Sequence, residues 1–351
     1  VKSVYDMIQE VKPFVKFGIG PRGIAATDQA VADKYGVPRC TSGYDSQYNE
    51  IFCDPLAWLS AGTIDYISPQ IYWARGYSAG DFSILCPWWY DVAEKFGRHC
   101  YVSHSLEYFK NGKQTPDTRE KTFEGMAAQV QMNRDESSSA PGSCFYSYSC
   151  VDDENETENG MDFFTYMKNN KFQNKALTPC ISWKEAPEQG KVANLREKDG
   201  VLEWDAVNNM RYAVYLLPEG TSHDGRLLNG AKNLKAHLYY NRYELPEGYE
   251  KCEAAVAIVD RYGNRYSPQW ISVGKPSGIE DTANSDFAVR IEGNKVVFPA
   301  KVESVDVYDT VGKQLASYGD CSEINLEEKD GIVILRIDTG ERIVTQKVSI
   351  K

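Results

Sequence analysis

Ile64–Tyr72, IDYISPQIY, reads as a buried strand, and its neighbours on both sides read as helices. Upstream, Asp54–Ala61 is helical, with Pro55 in its first turn and Gly62 at its end. Downstream, Ile84–Phe96 is an amphipathic helix and CYVSHS (Cys100–Ser105) a further strand. The alternation continues outward. Ser3–Lys12 places Val4, Met7, Ile8 and Val11 on one helical face, closed by Pro13, before the strand FVKFGI (Phe14–Ile19). Thr118–Asn133 predicts a long helix, SCFYSYS (Ser143–Ser149) a fourth strand and Gly160–Asn169 a closing helix. Such alternation predicts an α/β region with a parallel sheet and crossover helices. The strands read as apolar on both sides of the pleat, as parallel strands covered by helices require.

Near residue 175 the pattern becomes all-β. Val192–Leu195, Gly200–Trp204, Arg211–Leu217, Glu253–Asp260 and Gln269–Val273 are short strands between turn residues, fitting one sandwich over 176–274. Lys275-Pro276-Ser277-Gly278 reads as a linker. A second β domain follows over 279–351. Its strands are Phe287–Glu292, Lys295–Phe298, Ser304–Tyr308, Glu323–Leu326, Ile332–Ile337 and Ile343–Ile350, with turns at Gly293-Asn294 and Thr339-Gly340. Three domains are therefore expected, at 1–175, 176–274 and 279–351.

Composition excludes some functions. The chain has 351 residues and a net charge of −11 from 39 basic and 50 acidic side chains. Residues 1–175 hold 17 basic and 23 acidic residues, leaving 22 and 27 for the remainder. Neither half offers the clustered Lys and Arg that nonspecific nucleic-acid binding needs. No apolar run approaches the ~20 residues of a membrane span. Val1–Asp6 leads into an amphipathic helix pattern and does not read as a signal peptide. The nine cysteines are scattered without CxxC spacing, so a zinc cluster is not expected, and no cofactor is implied. Cys40 with Cys53, or Cys144 with Cys150, are the pairs that oxidation would bridge, but spacing alone does not decide it.

The runs SVYDMIQEVKPFVKFGIGPRGI, YNEIFCDPLAWLSAGTIDYISPQIYW, WWYDVA, CYVSHS and GSCFYSYS resemble the glycosyl hydrolase-like 10 family over about residues 1–172. GTIDYISPQIYW is the most specific part. The resemblance implies a (β/α)8 TIM-type barrel, of which this chain matches strands five to eight. It also implies a secreted or surface-attached protein acting on polysaccharide. Glycoside hydrolysis ordinarily needs two carboxylates flanking the scissile bond. In the resembled family an acidic cluster is expected at the end of strand four, outside the matched half. This chain alone is therefore expected to be inactive.

Barrel enzymes place their sites at the C-terminal ends of the strands. Gln70, Tyr72 and Trp73 stand at one such end, followed by Arg75. Gln70 and Tyr72 are suited to sugar hydroxyls, and Trp73 to stacking on a pyranose; the opposing reading is that the aromatics cap the barrel core. His104 and Glu107 stand at the next strand end. His104 would orient a substrate or a carboxylate, and Glu107 is the local candidate for a catalytic acid. Tyr146 and Tyr148 share one face of the fourth strand, lining a sugar site or filling the interior. Arg22 follows Gly20-Pro21 at the end of the first strand, where it would meet an anionic group. Asp65, at the opposite end of its strand, reads as structural. Asp152-Asp153-Glu154 reads as a solvated loop.

Residues 176–274 resemble a fibronectin type III-like module through KVANLREKDGVLEWDAVNNMRYAVYLL, with Trp204 in its core. Residues 279–351 resemble the C-terminal sorting domain of the Bacteroidetes secretion system through ESVDVYDTVGKQL and GIVILRIDTGERIVTQKVSIK, although Val333 stands where an aromatic is often found. Both resemblances imply an exported protein, extracellular, surface-bound or periplasmic. Two function classes follow: a carbohydrate-active hydrolase, or a noncatalytic surface protein that binds glycan or another protein. A half-barrel would leave Phe17, Ile67 and Phe145 on its open face. That exposure predicts a homodimer joined through the half-barrels.

Overall fold

The computed structural model describes residues 1–107, 122–136, 141–151, 157–158, 160–274, 287, 289–310, 312–326, 331–340 and 343–350. The Lys275–Gly278 linker and the Asp152-Asp153-Glu154 run lie outside them. The chain divides into two compact units, Val1–Gly274 and Lys275–Lys351. The first contains both the α/β region and the first set of β-strands.

In chain order the α/β region runs α1 (Lys2–Val11), β1 (Gly18–Ile19), α2 (Gln29–Tyr35), α3 (Ser46–Asn49), α4 (Pro55–Ser60), β2 (Tyr66–Ile67) and α5 (Phe82–Lys95). It continues with β3 (His99–Ser105), α6 (Phe123–Glu136), β4 (Pro141–Tyr146), the short hairpin β5 (Thr157–Glu158) and β6 (Met161–Asp162), and α7 (Phe163–Asn170). Asp54 caps α4 by accepting the Ala57 N–H, with Pro55 at its first position, and Asp81 caps α5 through the Ser83 N–H. The four strands pair in parallel in the order β1-β2-β3-β4. Gly18 lies opposite Tyr66 and Tyr66 opposite His99, and β3 pairs with β4 from Cys100–Pro141 to Ser105–Tyr146. A bridge row at one level joins Arg22 to Gln70 and Gln70 to Ser103.

The strands are not apolar on both faces. Ile67, Ile71, Cys100 and Val102 point into the helix layer, where they pack with Leu56, Leu59, Phe82, Leu85 and Trp89. The alternate residues Ser68, Gln70, Tyr72, Tyr101, Ser103 and Cys144 line the opposite, open face. Phe17 and Ile67 join the helix-side core, and Phe145 packs against the cluster of Phe123, Met126 and Phe163. The exposure expected of Phe17 and Ile67 is thereby corrected, whereas Phe145 is half-buried and also borders the open-face cavity. Period-2 alternation turns Phe17 and Ile67 toward the helices, leaving mainly small and hydroxyl-bearing side chains on the other face.

The β portion of the first unit forms two sheets. β7 (Arg196–Lys198), β8 (Val201–Glu203) and β11 (Arg242–Glu244) make one, in the order β11-β8-β7. β9 (Arg211–Pro218), β10 (Leu234–Leu238), β12 (Cys252–Val259) and β13 (Gln269–Val273) make the other, in the order β10-β9-β12-β13. Leu202 and Trp204 meet Tyr212, Val214, Leu216, Val256 and Ile258 in the core between them. Trp204 lies edge-on to Tyr212 with ring centroids 5.2 Å apart.

The second unit is an antiparallel sheet of β14 (Arg290–Glu292), β15 (Lys295–Tyr308), β16 (Gln314–Asn325), β17 (Gly331–Asp338) and β18 (Ile343–Ile350). The order is β14-β15-β17-β18, with β16 also on β15. Lys295–Phe298 and Ser304–Tyr308 are one continuous strand. Its pairing with β16 breaks between Val297 and Val302, where Pro299 has no N–H to give to the ladder. Val333, Leu335 and Ile337 of β17 are buried with Val296, Val305 and Val307.

Candidate functional site

The open face of the parallel sheet carries a cavity of about 900 Å³. Its floor is unusually thin, because two tyrosine rings lie flat across glycines on neighbouring strands. A Cβ added to Gly18 would stand 2.4 Å from the Tyr66 ring, and one added to Gly142 would stand 2.2 Å from the Tyr101 ring. In both cases tyrosine and glycine are direct register partners in adjacent strands. The two rings are 5.0 Å apart. The segment Ala176–Pro179 and Lys16 close the N-terminal side of the cavity. The Lys16 ammonium donates to the Pro179 carbonyl at 2.7 Å and to the Tyr101 hydroxyl at 3.1 Å, and burial pulls its pKa down to about 8.

Toward the strand C-termini the lining becomes a polar cluster. The Gln70 amide donates to the Gly20 carbonyl at 2.9 Å, so the one amide on this strand face has a partner. The Tyr72 and Ser103 hydroxyls lie 3.4 Å apart, and the Tyr72 ring stacks on Tyr146 at 6.1 Å with a 20° tilt. Burial raises the Tyr72 hydroxyl above its ordinary pKa, and Glu107 is close enough for its charge to act in the same direction. Tyr146 is exposed, which leaves one side of this pair open to a ligand. No carboxylate lines the cavity among the described residues.

The remaining residues singled out from sequence lie elsewhere. Trp73 packs partly buried against the helix-side core, its indole lying on Gly80, where an added Cβ would meet it at 2.7 Å. His104 is fully buried on the helix side of β3, one position out of phase with Ser103. One ring nitrogen pairs with the Gln129 carbonyl oxygen at 2.9 Å, and the other lies 3.2 Å from the Ser143 hydroxyl and 3.1 Å from the Asn133 amide. Phe82 and Phe145 stack on its two sides at 5.6 and 5.3 Å. Desolvation drops its pKa to about 4, so it is a neutral packing residue at pH 7. His104 does stand near the C-terminal end of β3, but alternation turns its side chain to the helix side, away from the open face. Tyr148 stacks on Phe164 at 5.5 Å and is exposed, outside the cavity lining. Arg22 shares the Gln70 row through its backbone, while its guanidinium donates to the Ser46 hydroxyl at 2.7 Å. Glu107 sits just beyond β3, its N–H bonded to the Ser105 hydroxyl.

Tyr66, Ser68, Tyr101 and Cys144 were not singled out from sequence, yet they line the cavity. Their signal was present as strict alternation: Tyr66, Ser68, Gln70 and Tyr72 interleave with Ile67, Pro69 and Ile71. At the other end of β2, Asp65 is fully buried and structural. It accepts the Phe17 N–H at 2.9 Å and the Trp183 indole N–H at 3.0 Å, and pairs with Lys184. All nine cysteines are free thiols, Cys40, Cys53, Cys144 and Cys150 among them.

Comparison with known proteins gives the site a context. Glycosyl hydrolase YngK of Bacillus subtilis is 29% identical over 209 residues, 58% of this chain and 38% of that protein. Glycosyl hydrolase DigH of Escherichia coli is 30% identical over 116 residues, 32% of this chain and 24% of that protein. The chain thus spans well under half the length of either relative. Among solved structures, HBP35 of Porphyromonas gingivalis matches over 73% of this chain and 88% of its own, at 12% identity and a TM-score of 0.18. Residues 1–110, from α1 through the end of β3, match the family model described as Glycosyl hydrolase-like 10.

Proposed function

We propose that residues 1–175 are one half, strands five to eight, of a (β/α)8 barrel of a glycoside hydrolase-like protein. The open sheet face is then half of a polysaccharide-binding cleft. Sheet order supports this reading. Strands in sequential order, all crossing over helices on the same side, curl toward closure, whereas doubly wound sheets reverse order and cover both faces. The observation that carries the function is the cluster of Gln70, Tyr72, Ser103 and Tyr146 at the strand C-termini. There, hydroxyls and an amide surround an open aromatic face, the usual chemistry for a sugar ring.

The chain by itself binds glycan and does not cleave it. A two-carboxylate mechanism needs an acid and a base or nucleophile across the bond, and the described lining offers neither; Glu107 lies outside it, near enough for its charge to act on Tyr72. This same feature favours the noncatalytic binding reading for the isolated chain. The β portion 176–274, with three strands facing four over Trp204, is read as a fibronectin type III-like module, and 279–351 as a sorting-domain-like module. The protein then works outside the cytoplasm.

Calorimetric titration with neutral and N-acetylated oligosaccharides tests the reading, alongside a reducing-end assay on the same sugars. Binding that Tyr72→Ala weakens about tenfold, with no turnover, is the expected result. Titrations unchanged by Tyr72→Ala would remove the cleft assignment. Turnover abolished by Glu107→Gln would overturn the inactivity.

A further inference from the structure

A second cavity of about 950 Å³ lies where the α1–β1 connection meets the β9, β10 and β12 ends of the sandwich. Its charge is opposite to that of the chain. In a protein of net charge −11, the cavity is bordered by Lys12, Lys16, Arg211 and Arg261, with no carboxylate among the described lining residues. Lys16 is occupied by Pro179 and Tyr101, so Lys12 and the two arginines are the cations that face a ligand.

Both arginines are held in place. The Arg261 guanidinium lies 4.6 Å over the Phe14 ring and donates to the Asn209 side chain. The Arg211 guanidinium lies 5.8 Å over the Tyr239 ring and donates to the Asp260 carbonyl at 3.2 Å. Each bond uses one of five N–H donors, leaving the others for an anion. Stacking on rings lowers the entropy lost when a ligand binds. Tyr239 and Tyr240 are 80% and 60% exposed, an unusual state for two adjacent large rings. The amides of Asn208 and Asn241 complete the border.

We propose that this cleft binds an acidic oligosaccharide, with carboxylates on Arg211, Arg261 and Lys12 and sugar rings against Tyr239 and Tyr240. Paired cations alone would suit any polyanion; exposed rings flanked by amides select a sugar. The site is distinct from the strand-end cluster: the two cavities share Lys16, Thr178 and Pro179 at their border, and Gln70, Tyr72 and Tyr146 line the other one alone.

The test uses the full chain, calorimetry, and trigalacturonate beside its neutral methyl ester at about 50 mM salt, where screening is weak. The acid is expected to bind at least about tenfold tighter than the ester, and salt of about 0.5 M to erase the difference. Tyr239→Ala and Arg261→Gln should each weaken the acid about tenfold, while Tyr72→Ala leaves it unchanged. Tyr240→Ala supplies a second exposed variant should either of the first two misfold. Equal binding of acid and ester, or no binding of the acid, overturns the proposal. So does a glutamate oligomer that binds as tightly and is indifferent to Tyr239→Ala, which would mark a general polyanion patch. Loss of the acid's binding in Tyr72→Ala would assign the ligand to the strand-end cleft instead.

Discussion

Asp65 and Lys184 form an ion pair at 3.0 Å, with the carboxylate fully out of water and the ammonium side chain only 10% exposed. The partners are 119 positions apart and join the N-terminal end of β2 to the segment entering the sandwich. Asp65 also accepts the Phe17 N–H and the Trp183 indole N–H, and the Tyr5 hydroxyl lies 3.4 Å away. Removing one member of a buried pair leaves the other charge uncompensated. Asp65→Asn is therefore expected to lower the stability of the first unit by about 3 kcal/mol or more. Urea midpoints followed by tryptophan fluorescence would measure it, and adding Lys184→Met should return part of the loss.

Acid should weaken the first unit before its carboxylates titrate. His104 and His99 are both buried, and desolvation depresses each to about 4 from an ordinary 6.5. Between those values the unfolded chain binds protons that the folded chain refuses. Stability is thus complete above about pH 6.5 and falls as pH drops toward 4. His104 alone contributes up to about 3 kcal/mol of that fall. Denaturation at pH 7, 6 and 5 should show the slope, and His104→Gln should flatten it; an unchanged slope in the variant would assign the effect elsewhere.

Trp73 is expected to matter for folding before binding. Its indole lies on Gly80, so Gly80→Ala should force the ring aside and cost about 1–3 kcal/mol. Thermal melts of Gly80→Ala and Trp73→Ala should both shift down. A sugar titration at the strand ends should change little in the Gly80 variant.

Two buried tryptophans should respond differently to loss of the indole N–H. Trp89 donates to the Gly23 carbonyl at 2.8 Å, whereas the Trp204 N–H has no partner among the described residues. Trp89→Phe strands a carbonyl and Trp204→Phe strands nothing. The first should cost about 1–3 kcal/mol more than the second. Parallel denaturation curves settle the comparison.

Self-association is expected through the sheet edges rather than through an apolar face. β1 and β4 are the outer strands of the parallel sheet, and the open face between them carries tyrosine rings, hydroxyls and an amide rather than a continuous aliphatic patch. Light scattering at micromolar concentration should give twice the 39.6 kDa chain mass; a single-chain mass would remove the dimer.

How much was readable in the chain depends on what each signal measures. Periodic segments such as Phe82–Lys95 and Gly331–Asp338 are legible to within two residues, because burial of one face writes its period into the sequence. α2, β10 and β11 are not legible in the sequence. α2 is seven residues long and buries only Val31 and Ala32, and Tyr239 and Tyr240 blur the strand ends beside them. At the site, Gln70 and Tyr72 were legible as strand-end polar groups. Position along the strand places His104 at the strand end, but side-chain parity decides which face it meets, and that face is the helix side. The cationic cleft could not be read at all. Its borders, Lys12, Arg211 and Arg261, are brought together only by packing of distant segments.

The glycines beneath Tyr66 and Tyr101 make the depth of the open face a one-methyl property. An alanine at Gly18 or Gly142 would lift a ring off the sheet and into the space a ligand needs, without touching the helix-side core. Shallow or deep variants of this surface are therefore one codon apart, and a lineage could retune which chain fits while the layers behind it stay as they are. The same thinness leaves little tolerance: no side chain beyond hydrogen can be added at either point while the rings lie flat.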